Sequence, residues 1–488
     1  MTYPATGARL SALYRLTERC SELVDSRAIN TYRGLRTPLE APMRSNHARP
    51  VARPLHRGAV LRAAIVLGAA ALVTGCVPDP GTPIADLPLP VTEHTVVANL
   101  PGVSFAKAAD VLGDGNQELI VSAFGSPLTS PGTVTIHKRG ATLDDWTQIP
   151  VVTVADGIKF PNDTAVTDID SDGMNDLVVS GGFFSCAFSG TGCGSLQWYR
   201  QSPAGVFTRH NIIEPNNSFF YHRAIPTDVN GDGIDDLVTV GETADSAVTY
   251  WFEGTAGAGD ARFLATPHLI GSGGGSLPVV ADVDGDGDDD VVSPQYFASG
   301  PGMIWFERTA EPSAINPAGT WVQHQFSSTD IGKGFEIELV PNLQGDGVAR
   351  WIGANHQNTT FNPGIPSALW RFDDGPTPAS KRPATVISTG VTARPTSPVS
   401  LAPGLFGTGD VNGDGKIDVV MSGDGDDRLF VLLQGAGGVF TTYRLASAMG
   451  QAGGAEVTDL DGDGQAEALF TSYEKGVVKL YEFGTAAT

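Results

Sequence analysis

From residue 91 onward the apolar positions fall in short runs, bounded by Gly, Pro, Asp and Asn, and long helical periods are scarce. A run such as AVTDID leads into a dense polar turn, and DLVVSGG leads out of it. A third run carries aromatics (LQWYRQ, VTYWFEG, GMIWFER, ALWRFDD, RLFVLLQ, VVKLYEF), and a fourth often alternates around a His (FTRHNII, ATPHLIG, WVQHQFS). Short apolar or alternating runs punctuated by turn residues predict strands, here four to a unit.

The polar turn recurs seven times: DVLGDGNQELI from Asp110, DIDSDGMNDLV from Asp168, DVNGDGIDDLV from Asp228, DVDGDGDDDVV from Asp282, NLQGDGVARWI from Asn342, DVNGDGKIDVV from Asp410 and DLDGDGQAEAL from Asp459. Start-to-start intervals are 58, 60, 54, 60, 68 and 49 residues, which marks a repeat architecture. Four-stranded units repeated radially are the blades of a β-propeller. The predicted fold is therefore all-β, a seven-bladed propeller. The seventh unit ends after its third run (GVVKLYEFGTAAT), and VTEHTVVANL at 91–100 reads as its missing fourth strand. An N-terminal strand that completes the last blade leaves no open sheet edge there.

Numbered from the first acid, positions 1, 3 and 5 of the turns are mostly Asp or Asn, position 6 is always Gly, and position 9 is acidic in six copies. Side-chain oxygens at 1, 3, 5 and 9, with an inward carbonyl at 7, have the spacing of calcium loops. Gly at position 6 permits the sharp backbone turn, where a Cβ is expected to clash. Position 12 falls inside an apolar strand (Val179, Thr239), so the motif is not an EF-hand. The expected ligands are Asp168, Asp170, Asp172 and Asp176; Asp228, Asn230, Asp232 and Asp236; Asp282, Asp284, Asp286 and Asp290; Asp410, Asn412, Asp414 and Asp418; and Asp459, Asp461, Asp463 and Glu467. The first turn offers Asp110, Asp114 and Glu118 but has Leu112 at position 3, so its site is weaker. The fifth has Arg350 at position 9, where a guanidinium repels a divalent ion and can neutralise Asp346. Five or six Ca²⁺ sites are expected, structural rather than catalytic, because each turn saturates its own ion.

These turns resemble the FG-GAP or VCBS-type repeats of bacterial surface proteins and of the propeller in integrin α chains. The resemblance spans about residues 91–485 and implies a calcium-bearing propeller. Propellers of this kind serve as adhesion modules, lectins, scaffolds and occasionally lyases, so the resemblance leaves activity open.

Charge sharpens the picture. Residues 1–75 hold eleven Arg against four acids, so of the chain's 31 basic and 54 acidic residues, 20 and 50 fall in 76–488. A body this acidic excludes nucleic acid as an expected partner and favours cations. Arg53, Arg57 and Arg62 precede the apolar run Ala63–Val73 and then Val-Thr-Gly-Cys76, the layout of a signal peptide ending in a lipobox. Residues 1–75 read as a leader with Met43 as a candidate start, 76–90 as a Pro-rich linker after a lipidated Cys76, and 91–488 as the propeller. The expected location is the bacterial cell envelope or surface, with membrane contact only through that lipid. In the exported chain Cys186 and Cys193, separated mostly by small residues, form a plausible disulfide.

Alternating strand direction puts the acidic turns on one face of the disc and the irregular loops on the other. Ligands of propellers sit around the channel mouth on the loop-rich side. Candidate binding residues there are Phe183, Phe184, Tyr221, His222, Arg223, Tyr296, Glu336 and His356, suited to stacking on sugars or gripping an extended peptide. The expected function is a calcium-stabilised binding or adhesion module for glycan or protein. The alternatives are a polysaccharide lyase or hydrolase using His222, Tyr296 or His356 as acid or base, and an envelope scaffold without a ligand. No nucleophile elbow, phosphate loop, zinc motif or dinucleotide fingerprint occurs.

Overall fold

A computed structural model describes residues 84–126, 130–183, 192–355, 367–377, 379–388, 404–423 and 427–484. Met43, Cys76, Phe184, Cys186 and His356 lie outside the described residues.

The polar–apolar alternation becomes seven antiparallel four-stranded sheets, six of them in sequence order from the innermost strand outward and the seventh with the N-terminal strand outermost. The first strands are Val103–Ala109, Pro161–Thr167, Ala224–Thr227, Val279–Ala281, Gly334–Val340, Phe406–Gly409 and Ala452–Thr458 in blades 1 to 7. From blade 1 through to blade 5 each first strand packs on the next, that of blade 6 packs on that of blade 7, and that of blade 7 on that of blade 1, closing the ring. Blades 5 and 6 are joined by Glu336, which accepts from the Phe406 N–H (2.9 Å), and Glu338, which accepts from the Thr408 hydroxyl (2.8 Å).

The last blade is completed as its sequence requires. Val91–Val97 pairs antiparallel with Val477–Phe483, with His94 opposite Leu480. The edge that blade 7 would otherwise expose is thus paired. Residues 84–90, read as linker, lie along blade 6: Leu87 N–H donates to the Arg444 carbonyl (2.9 Å), and Ile84 and Leu89 pack on its core.

The cores lie between blades. In the second strand of blade 2 (Asp176–Gly181), Leu177 and Val179 pack with Val111, Ile120 and Ile136 of blade 1, while Val178 packs with Leu237 and Phe252 of blade 3. Successive side chains point to opposite faces of a strand, so a strand covered on both faces must be apolar throughout. That is why the second strands read as unbroken apolar runs. Trp198, Trp251 and Trp305 of the third strands are almost wholly buried, and each meets a fourth-strand His directly across the ladder: His210, His268 and His324, at 4.9, 4.4 and 4.7 Å between ring centroids. The His covers the indole and turns a nitrogen to a carboxylate at the surface.

Candidate functional site

Each acidic turn joins the first strand of a blade to its second, which places all seven on one face. The turn begins as a set of nested side-chain to backbone bonds. Position 1 accepts from the N–H of position 6 in every turn and from that of position 5 in turns 1, 2, 3 and 6. In turn 2, Asp168 Oδ1 takes Asp172 (3.0 Å) and Oδ2 takes Gly173 (2.8 Å). Position 5 accepts from position 7, as Asp232 does from Ile234 (2.8 Å).

Positions 4 and 6 have positive φ in every turn, Gly173 at 89° for example, and Ser171 (60°) is the one residue other than Gly among these positions. A Cβ built on any of these glycines meets nothing within 4 Å. Gly at position 6 is therefore required for its left-handed backbone and not to avoid a clash, correcting the simpler steric expectation.

Position 9 opens the second strand and is fully buried in turns 1, 2, 3 and 6 and nearly so in turns 4 and 7. It works as a backbone tie. Asp176 Oδ2 accepts from Ile169 N–H (3.2 Å) at position 2, and Oδ1 accepts from Gln201 N–H (2.7 Å) at the exit of the third strand. Asp236, Asp290 and Asp418 repeat both bonds. Burial pushes Asp176 up to about 6 and Asp236, Asp290, Asp418 and Glu467 up to about 7, against the N–H groups they accept.

The position-2 carbonyl is latched by the next blade. Val111 accepts from Gln201 (2.9 Å), Ile169 from Arg262, Val229 from Arg308 (2.5 Å), Val283 from Arg382 (2.8 Å) and Leu343 from Gln434 (2.6 Å). Five turns are thereby held to the following blade by an amide or guanidinium that is itself buried.

The oxygen sets fit a hard divalent cation. In turns 2, 4 and 7 three carboxylate ligand atoms lie within 4.8 Å of one another: Asp168, Asp170 and Asp176; Asp282, Asp284 and Asp290; Asp459, Asp461 and Glu467. Oxygens bound at about 2.3–2.6 Å to one calcium ion can be no farther apart than roughly 5 Å, so these sets can share an ion. Glu118 Oε1 and Asp170 Oδ1 are buried with no hydrogen-bond partner, which leaves them open to a cation. In turn 5, Arg350 grips Asp346 through two bonds (2.7 and 2.5 Å), the self-neutralisation expected from its sequence.

On the opposite face, an arc of rings follows the channel mouth from blade 7 to blade 5. Tyr473 contacts Phe124 (5.9 Å between centroids), Phe124 contacts Phe183 (5.8 Å), and Phe183 contacts His222 (6.3 Å). The arc continues through Phe220 (5.5 Å from His222), Phe297 (5.3 Å), Tyr296 (4.8 Å) and Phe335 (6.1 Å). His222 Nδ1 is 2.7 Å from Glu242 Oε1; Glu242 is fully buried, takes a second bond from Ser276 N–H (2.9 Å), and leaves Oε2 unpaired. A cleft of about 320 Å³ beside the arc, between blades 4 and 5, is lined by Met303, Gln325, Ser327 and Asp330.

The expected ligand residues separate into three groups. Phe183, His222 and Tyr296 belong to the arc. Tyr221 does not: it is 1% exposed in the packing between blades 2 and 3, where its hydroxyl accepts from Tyr250 (2.8 Å), because its place beside the first strand turns it into the blade interface. Arg223 and Glu336 line the channel beneath the mouth. Asp163 bridges Arg223 (2.6 Å) and Lys107 (3.2 Å); burial raises its carboxyl, but the two cations outweigh this and hold it at about 2. Burial lifts Glu336 to about 8, which the Phe406 N–H and Arg223 only partly offset. Cys193 is disulfide-bonded.

Sequence reasoning missed Glu242 and the rings Phe124, Phe220, Phe297, Phe335 and Tyr473. Phe124, Phe297 and Tyr473 share a signal with Phe183 and Tyr296: each follows the second strand within three residues, an alignment the seven-fold repeat makes readable. Glu242, at the end of an otherwise apolar strand, has no such register.

Residues 168–239, 228–293 and 410–470 match the family of FG-GAP-like repeats, stretches that hold turns 2, 3, 4, 6 and 7. Among solved structures, the chain is similar to exotype rhamnogalacturonan lyase YesX (14% identity, 82% of this chain and 76% of that one, TM-score 0.40). It is also similar to Bacillus licheniformis rhamnogalacturonan lyase PL11 (15%, 85% and 74%, 0.41) and to BBS1N in complex with ARL6DN (10%, 82% and 98%, 0.44). Among curated proteins none matches the sequence.

Proposed function

The chain is a seven-bladed β-propeller carrying FG-GAP-like repeats, and from that premise we propose that it is a calcium-stabilised binding module, exported and lipid-anchored through Cys76, that seats a glycan or an extended protein segment at its loop-rich mouth. The aromatic arc carries the reading. Rings set edge to face around a mouth offer broad apolar faces to pyranose rings or to side chains of an extended strand. Calcium at the acidic turns would hold the opposite face rigid, with Asp168, Asp170, Asp172 and Asp176 and their counterparts as ligands. Bound there it would offset carboxylate repulsion and couple metal to folding.

The test is a glycan array and a peptide panel probed with the mature chain, followed by titration of each hit against Tyr296→Ala/Phe297→Ala. The double variant is expected to weaken binding at least tenfold while melting like the parent; unchanged affinity would rule the arc out as the binding surface.

One observation favours the enzyme alternative. A His bonded to a buried carboxylate at the mouth has the arrangement of an oriented general base, with Tyr296 along the same arc. Depolymerised sugar in the array wells, lost in His222→Gln, would select a polysaccharide lyase or hydrolase over a binding module.

A further inference from the structure

Across each ladder, one residue of the third strand comes to lie beside position 9 of the turn. The last ladder pairs, Leu119–His137, Leu177–Tyr199, Leu237–Phe252, Val291–Phe306, Trp351–Phe372, Val419–Leu432 and Ala468–Tyr481, set that next residue as Lys138, Arg200, Glu253, Glu307, Asp373, Leu433 and Glu482 in blades 1 to 7. Its charge changes sign around the wheel.

In blades 1 and 2 the residue is a cation that reaches the outer carboxylates of its own turn. Lys138 bonds Asp114, and Arg200 bonds both Asp170 and Asp172, the latter at 2.5 Å. In blades 3, 4 and 7 the same place holds a glutamate, and its partner is a His on the neighbouring strand: Glu253 with His268 (3.0 Å), Glu307 with His324 (2.5 Å) and Glu482 with His94 (3.3 Å). Blade 5 is the extreme case, where the cation is built into the turn as Arg350 and the acid, Asp373, stands across the ladder.

We infer that this cross-strand residue sets the order in which the turns take up calcium, those of blades 3, 4 and 7 filling at the lowest free concentration and those of blades 1 and 2 last. The ordering rests on the proposal that the turns bind calcium. A divalent ion entering turn 2 must displace Arg200 from two ligand carboxylates and then sit close to the displaced guanidinium. One entering turn 3 or 4 finds no cation bonded to the carboxylates at positions 1, 3 and 5, and it meets an added carboxylate nearby. The neighbouring Arg308 and Arg382 are held on position-2 carbonyls, and Arg308 also lies 3.5 Å from Asp288 at position 7. An exposed ion pair is a weak competitor, so the tether lowers affinity without abolishing the site. Between like charges near a protein surface the residual repulsion corresponds to at least about a tenfold loss. Turn 6, with neutral Leu433 across the ladder, falls between the two classes; its Lys416 bonds Asp414 from within the turn (2.6 Å). Turn 1 combines its tether with the oxygen missing at Leu112, which places it last.

Isothermal titration of the chelator-stripped full chain with calcium at low ionic strength tests this, with Arg200→Gln, Lys138→Gln and Glu307→Lys beside the parent. Melting of each variant in chelator checks that the wheel is intact, and three variants in different blades guard against one that does not fold. The parent is expected to bind in at least two affinity classes. Arg200→Gln moves one site about tenfold toward the tight class, and Glu307→Lys moves one the other way. A single class in the parent, or class populations that none of the variants shifts, overturns the ordering while leaving the calcium sites in place. No calcium uptake at all overturns both the calcium sites and the ordering.

Discussion

At the scale of single residues the molecule puts charge in two kinds of place. In the turns, carboxylates crowd at the surface; in the channel, Lys107, Asp163, Arg223, Glu336 and Glu456 lie within the ring of first strands. The channel acids fall on opposite sides of their ordinary range. Asp163, with two cations, is held near 2, so its contribution to stability is present above the unfolded value of about 3.8 and is lost only as pH falls toward 2. Glu336, raised to about 8, behaves oppositely: the fold favours its neutral form, so its contribution is full below the unfolded value and is lost as pH rises from about 4.5 through 8. Glu336→Gln removes that dependence. Its melting temperature relative to the parent is expected to rise between pH 5 and pH 8; a gap that stays constant would contradict a buried, neutral Glu336. Little of this was legible in the sequence. Glu336 was placed at the mouth as a ligand residue, because nothing in FEIELV tells which face of the first strand meets the channel.

Elements were read more fully, because strands and turns are local. Four strands per unit, the aromatic third strand and the His-bearing fourth all follow from alternation, and the cross-strand Trp–His pairs follow from both strands keeping the same period. The position-9 acid was foreseen only as a ligand. Its tie between position 2 and the third strand would preserve an acid there even without a metal, so position 3, half-buried, and position 5, exposed, carry more of the argument for an ion. The latch was not foreseen at all, since a buried Arg or Gln at the end of a third strand, or in Arg382 near the fourth, has no pattern until the next blade is in place. It has a measurable worth. Arg308→Met keeps the apolar stem but leaves the Val229 carbonyl without that donor, which should lower unfolding free energy by about 1–3 kcal/mol. Chemical denaturation measures this, and a change below about 0.5 kcal/mol would mean that water replaces the guanidinium.

For the whole molecule, the repeat count and the closure by Val91–Val97 could be derived from the chain because both are matters of counting: seven turns, and one unit a strand short. What could not be counted was the mouth, assembled from six blades whose loops share little sequence. The wheel is held by apolar seams between blades, by latches from blades 2 to 6 to the turn before each and, if the acidic turns bind calcium as proposed, by cations that relieve the acidic face. Only the last depends on free calcium. Differential scanning calorimetry of the mature chain in millimolar calcium and then in excess chelator, at one pH and ionic strength, addresses it directly. Each site filled at a hundredfold excess over its Kd contributes about 2.7 kcal/mol to the folded state, so several sites should raise the melting temperature substantially and reversibly in calcium. An identical melting temperature in both solutions would show that the acidic turns stand without an ion and would contradict the central claim.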